Sequence, residues 1–122
     1  MSQEPAVDDP PLRRFTDPTY VPLCANLGEV RANIDRLDRE IVALIAERGR
    51  YVKDAARFKA DPFQVAAPQR QQQVFDRVRA LAQEHGTYAE VVEACYRVMV
   101  AGFVAREQDY FAHMEPIEGE HE

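Results

Sequence analysis

Residues 27–59 read LGEVRANIDRLDREIVALIAERGRYVKDAARFK, and this stretch decides the fold. Apolar residues recur at three- and four-residue steps, at Leu27, Val30, Ile34, Leu37, Ile41 and Leu44. Side chains at that spacing share one face of an α-helix. The next positions on the same stripe are Arg48, Val52, Ala55 and Lys59, so two cations stand where core-facing residues are expected. A cation facing a core is costly unless a negative group meets it. Two readings follow. Either the stems cover apolar surface while the charged heads snorkel to water, or an anionic ligand lies along the helix. Two cations on one stripe favour the ligand. On a straight helix Arg48 and Lys59 are rotated by about 20° and separated by roughly 16 Å, so one small molecule fits between their side chains.

Asn26 is a suitable N-cap, with Glu29 three residues on as its capping-box partner. The spacing predicts a helix from residue 26 or 27 to residue 58 or 59. A helix of that length spans roughly 50 Å. That is too long for a compact monomer of 122 residues and implies packing against another chain. The stretch 60–68 contains Pro62 and Pro68 and reads as a loop. A second helix is predicted from Gln69 to His85, with apolar positions Val74, Phe75, Val78, Leu81 and Ala82, ending at Gly86. Thr87 can cap a third helix from Tyr88 to His113. That helix is apolar on most sides, the pattern of a buried helix.

The fold class is therefore all-α: a three-helix chain with a long first helix, two copies of which form an intertwined homodimeric bundle. Residues 1–25 read as a Pro-rich leader, extended or disordered unless docked. Residues 26–113 form the helical domain, and residues 114–122 an acidic, frayed tail.

Composition narrows the function. The formal net charge is −6 and no basic block stands out, which argues against nucleic acid or an anionic membrane as a partner. The two cysteines, Cys24 and Cys95, have no Cys or His at metal-ligand spacing and read as free thiols in a reducing compartment. The N-terminal residues lack the apolar segment of a signal peptide, and no apolar run reaches bilayer length. A cytoplasmic location is expected.

Arg31 precedes Arg48 by seventeen residues, about 100° round the helix and roughly 25 Å away. It reads either as a solvated residue paired with Asp35 or, in an intertwined dimer, as a contributor to the partner's site. Arg70 opens the second helix, where a cation is unfavourable unless an anion is near. Glu107 falls on the apolar stripe of Tyr96, Met99, Phe103 and Tyr110, whereas Gln108 falls with Glu93, Arg97 and Val104. A carboxyl group on an apolar stripe either pairs with a cation, here Lys59 or Arg48, or stays protonated through desolvation. No Ser–His or Cys–His pair supports covalent catalysis, and no carboxylate–His cluster supports a metal. Cations without a nucleophile suit ligand sensing or electrostatic catalysis.

The runs Val30-Arg31-Ala32-Asn33-Ile34-Asp35-Arg36-Leu37-Asp38 and Ile41–Arg48 resemble the first helix of the all-helical, type II chorismate mutases. The continuation Tyr51–Lys59 resembles the isochorismate-pyruvate lyase branch of that family, and Pro68-Gln69-Arg70, Val92-Glu93 and Phe103-Val104-Ala105 extend the likeness over residues 26 to 112. The resemblance implies an intertwined homodimer with two sites and no cofactor. It implies that Arg48, with Arg31 of the partner, binds the two substrate carboxylates and that Arg70 supports them. Lys59 would donate to the ether oxygen as the C–O bond breaks. Glu107, or Gln108 one residue on, would complete that contact, and a Glu there must be protonated to donate. Gln71 stands where many mutases have a Glu that contacts the substrate hydroxyl, and Ala67 where they have another acid. The expected activity is chorismate to prephenate, in aromatic amino-acid biosynthesis. The alternatives are isochorismate-pyruvate lyase, giving salicylate and pyruvate, and a non-catalytic helical dimer that binds an aromatic carboxylate.

Overall fold

The computed structural model describes residues 13–117. The flexibility expected of residues 1–12 in the leader and 118–122 in the tail lies outside the described residues. The chain divides into two compact units, Met1–Ala46 and Glu47–Glu122. Among the described residues four α-helices follow in order: α1 (Leu27–Ala55), α2 (Pro62–Ala66), α3 (Pro68–Glu84) and α4 (Ala89–Ala112), with a 3-10 turn at Ala56–Phe58.

In the first unit, the described end of the leader makes a local turn. The Asp17 carboxylate accepts from the Thr19 amide at 2.9 Å and the Thr19 hydroxyl at 2.7 Å, and the Phe15 and Tyr20 rings lie 4.5 Å apart. The start of α1 follows the expected capping chemistry with one displacement. The Glu29 amide donates to Asn26 Oδ1 at 2.9 Å, while the Glu29 carboxylate reaches back to the Ala25 amide rather than that of Asn26. The apolar stripe of α1 is exposed: Ile34 is 51 % and Ile41 52 % accessible, and no α1 residue is buried.

The second unit differs from the expected three helices at residues 56–67. The α-helical part of α1 ends at Ala55 and not at residue 58 or 59. A 3-10 turn follows, and Lys59 leaves it in extended conformation. Proline keeps the chain from running on as one helix into the next segment. Pro62 bars a helical backbone at the residue before it, and Asp61 is extended, with φ −156°. The expected loop holds the short helix α2 instead: Pro62 is in its first turn, and the Asp61 carboxylate accepts from the Gln64 amide. A proline suits the first helical position because its missing N–H has no partner there.

Gly86 ends α3 as expected, at φ +71°. Its amide donates to the Gln83 carbonyl and that of Thr87 to Ala82, the paired bonds of a Schellman motif. Thr87 is therefore part of the α3 terminus and does not cap α4, whose N-cap residue is Tyr88 with no side-chain bond.

Helix α4 packs against α3, α2 and the 3-10 turn. The core comprises Ala56, Val65, Val74, Phe75, Val78, Ala82, Ala89 and Val100. Glu93 ties α3 to α4, accepting from Arg79 at 2.7 Å and Arg97 at 2.6 Å, and the Arg97 guanidinium lies 4.3 Å from the centre of the Phe75 ring. Hydrogen bonds to Arg97 and then Arg79 hold the Glu93 carboxyl below its ordinary range. Helix α4 is not buried all round, contrary to its composition. Val91 and Val98 are exposed, because this chain supplies neighbours along part of the helix surface only. Cys24 and Cys95 are free. Among the described residues, no helix is long and apolar enough to cross a membrane.

Candidate functional site

The second unit encloses a cavity of about 320 Å³, the lower end of the size range for small-molecule sites. One wall is the end of α1, with Arg48, Tyr51, Val52 and Ala55, continued by Lys59. Residues 65–67 and Arg70, Gln71, Val74 and Arg77 of α3 form a second, and Val100, Phe103, Val104 and Glu107 of α4 a third. Its deepest side chains are Val65, Val74, Val100 and Glu107, all 6 % exposed or less.

Gly49 brings the end of α1 close to α4. A Cβ on Gly49 would lie 2.5 Å from Cε1 of Phe103, well inside van der Waals contact. The absence of a side chain lets the Phe103 ring lie against the α1 backbone, beside the residue that carries Arg48. The Arg48 guanidinium is also 5.6 Å from the centre of the Tyr96 ring, within reach of a cation–π attraction.

Lys59 reaches the cavity without lying on a helical stripe. Its ammonium donates to the Gln64 carbonyl at 3.0 Å, and the Gln64 side chain accepts from the Ala60 amide at 2.7 Å. These local bonds fix the exit of the 3-10 turn, and the extended backbone aims Lys59 inward. Its Nζ lies 3.6 Å from Glu107 Oε2, too long for a hydrogen bond but close enough for Coulombic attraction. Glu107 is 4 % exposed, and its Oε2 is buried with no hydrogen-bond partner. Burial pushes the Glu107 carboxyl above its ordinary value, while Lys59 acts in the opposite direction. A buried oxygen left without a partner is costly, and here it belongs to a residue lining a cation-lined cavity. Protonated, the group can donate a hydrogen bond to a ligand atom.

The cavity thus gathers Arg48, Lys59, Arg70, Gln71 and Glu107 of the residues singled out in the sequence. Gln71 has its amide nitrogen held by the Ala66 carbonyl, which leaves its oxygen as the free acceptor. Gln108 does not line the cavity. Its side-chain amide donates to the Pro62 carbonyl at 2.9 Å and so fastens α4 to the start of α2. Arg31 lies on α1 in the first unit, exposed. Sequence reading missed Gly49 and Arg77. The Arg77 signal was available, since it follows Arg70 and Val74 at helical spacing on α3; that of Gly49 was not, because a glycine in a helix does not reveal what packs on it.

Among the described residues, no group of three or more His, Cys, Asp or Glu side chains gathers to hold a metal ion. Comparison with known proteins is specific. The family model for chorismate mutase type II matches residues 30–108. The chain is 33% identical over 88 residues to the isochorismate pyruvate lyase of Pseudomonas aeruginosa, covering 72% of this chain and 87% of that protein. It is 31% identical over 85 residues to the chorismate mutase of Methanocaldococcus jannaschii, covering 69% of this chain and 86% of that protein.

Proposed function

The chain belongs to the chorismate mutase type II family, and from that membership we propose that it is a chorismate mutase, rearranging chorismate to prephenate. The observation that carries this reading is the buried Oε2 of Glu107, without a hydrogen-bond partner among the described residues and 3.6 Å from the Lys59 ammonium, in a cavity also lined by Arg48, Arg70, Gln71 and apolar groups. The rearrangement breaks the C–O ether bond and forms a C–C bond within one molecule. As it proceeds, negative charge grows on the ether oxygen. Lys59 and a protonated Glu107 are two donors 3.6 Å apart on the cavity wall, and donors placed at the ether oxygen stabilise the transition state more than the ground state. Arg48 and Arg70 bind the substrate carboxylates, holding the compact conformer that can react. The apolar wall of Val52, Val100, Phe103 and Val104 keeps these charge interactions strong by displacing water.

The reading includes a homodimer. The exposed apolar stripe of α1, with Val30, Ile34, Leu37, Ile41 and Leu44, is the surface that a second copy would cover, and Arg31 of that copy would complete carboxylate binding. The catalytic domain in this reading is residues 26–113.

One observation favours a second activity, isochorismate-pyruvate lyase. Chorismate and isochorismate differ in their hydroxyl group; the position resembling the hydroxyl-contacting Glu is Gln71, whose amide is held by the backbone, and the position resembling a second acid is Ala67, which has no polar side chain. A third reading is a dimer that binds an aromatic carboxylate without turnover. Chorismate and isochorismate supplied separately, with prephenate and salicylate quantified, test all three. Prephenate with only trace salicylate supports the mutase, and efficient salicylate release replaces it with the lyase. Neither product from folded protein overturns both activities. Lys59→Ala should lower kcat by about 10²-fold or more if its ammonium stabilises the transition state, and ligand binding unaffected by that change would support the third reading.

A further inference from the structure

Exposure within the cavity is graded. Glu107 is 4 % accessible and the Lys59 side chain 22 %; Arg48 is intermediate, and Arg70 and Arg77 are exposed. The deep groups are those assigned to the bond that breaks. Arg77 has no role in that assignment, yet it lines the same cavity. It follows Arg70 by seven residues on α3, nearly two turns, so the two lie on one face about 10 Å apart along the axis. Val74 lies between them and is buried, which fixes the face that α3 turns toward the cavity. Arg77 makes no hydrogen bond or ion pair among the described residues, unlike Arg79 on the same helix, which is bound to Glu93. Its charge is uncompensated at the mouth of a site for an anion.

We propose that Arg77 is a capture residue: a cation at the mouth that draws a dicarboxylate into the cavity without touching the reacting atoms. This rests on the reading of the cavity as a chorismate or isochorismate site. The chain as a whole is acidic, with net charge −6, so a dianion approaching it meets net repulsion, and a local positive mouth has a specific task. A charge facing solvent acts over about 10 Å and is screened by salt, whereas the enclosed Lys59–Glu107 pair is screened far less. Capture and chemistry therefore separate by ionic strength.

The test is Arg77→Gln, assayed across a salt series with whichever of the two substrates the wild-type enzyme converts. The expected result is a loss of about fivefold in kcat/KM at low salt, shrinking to less than about twofold near 0.5 M salt, with kcat retained. Arg77→Lys should recover most of the loss. Arg50→Gln removes the same charge from a separate groove beside Tyr110 and should have little effect. A fall in kcat, a loss that does not change with salt, or an equal loss in Arg50→Gln would overturn the proposal. If wild-type protein converts neither substrate, the functional reading fails by itself, and the capture proposal is then decided by calorimetric titration with isophthalate, a simple aromatic dicarboxylate. Salt-sensitive weakening in Arg77→Gln sustains it; equal affinity in both proteins, or no binding to wild type, overturns it.

Discussion

Lys59 Nζ stands 3.6 Å from Glu107 Oε2, at a carboxyl group that is 4 % exposed and that burial raises above its ordinary value against the pull of the ammonium. Lys59 favours the ionised carboxyl and burial opposes it by favouring the protonated one, and only the protonated carboxyl can donate beside Lys59.

This opposition predicts a pH profile. In the mutase reading the active form needs Glu107 protonated, so kcat/KM should fall as pH rises through the raised value of that carboxyl. Glu107→Gln carries a permanent N–H donor of similar shape and should flatten the fall. A wild-type profile that is level from about pH 5 to 8 would show that the proton on Glu107 does not matter to turnover.

The same group predicts a stability slope. The folded carboxyl is raised above its ordinary 4.5, so over the window between that value and the raised one the folded state keeps a proton that the unfolded state has lost. Stability should fall with rising pH through this window and level off above it, by at most about 1.4 kcal/mol per pH unit. Urea denaturation of wild type and Glu107→Gln should show the substitution becoming relatively more stabilising with pH. A constant difference between the two proteins would contradict the raised value.

Gly49→Ala should destabilise the protein. Its Cβ would meet the Phe103 ring at 2.5 Å, and the ring must shift toward the cavity or α1 must move away. The expected cost is about 1–3 kcal/mol by denaturation, although alanine is the better helix former. KM should rise as well, because Arg48 and Phe103 both line the cavity. Gly49→Ala with Phe103→Leu should recover part of the stability, since the smaller side chain leaves room.

Ala67 joins α2 to α3 in the left-handed region, with φ +43° and ψ +61°. A residue with Cβ is strained there by about 1 kcal/mol, and Asp or Asn tolerates the region better. Ala67→Asp should therefore be neutral or stabilising by up to about 1 kcal/mol, read by thermal denaturation. It also places an acceptor on the cavity wall. If the mutase reading is right, the variant should improve the preference for chorismate over isochorismate; an unchanged ratio would show that residue 67 does not meet the substrate hydroxyl.

Much of the fold was legible because local rules act over a few residues. The Asn26–Glu29 cap, the stop at Gly86 and the periods of α1 and α3 each depend on near neighbours in sequence. The miss at residues 60–68 came from taking two prolines as loop markers when Pro62, after Asp61, begins a helix. Thr87 does not cap α4 because that helix begins at Ala89, one residue later than expected, which puts Tyr88 at the cap position.

The site divides along the same line. The sequence by itself determined that Arg48 and Glu107 fall among apolar residues at helical spacing, and it singled out Lys59 and Arg70 with them, because helical periodicity and charge are local properties. Tertiary structure alone decided which of Glu107 and Gln108 lines the cavity, since that depends on the bond from Gln108 to Pro62 across 46 residues of chain. It alone showed that Lys59 arrives from a 3-10 turn rather than a helical stripe, that Gly49 admits Phe103, and that Glu107 is buried, which raises its carboxyl above the ordinary value. Each of these depends on which distant side chains exclude water from a given point, and no spacing along the chain encodes that directly.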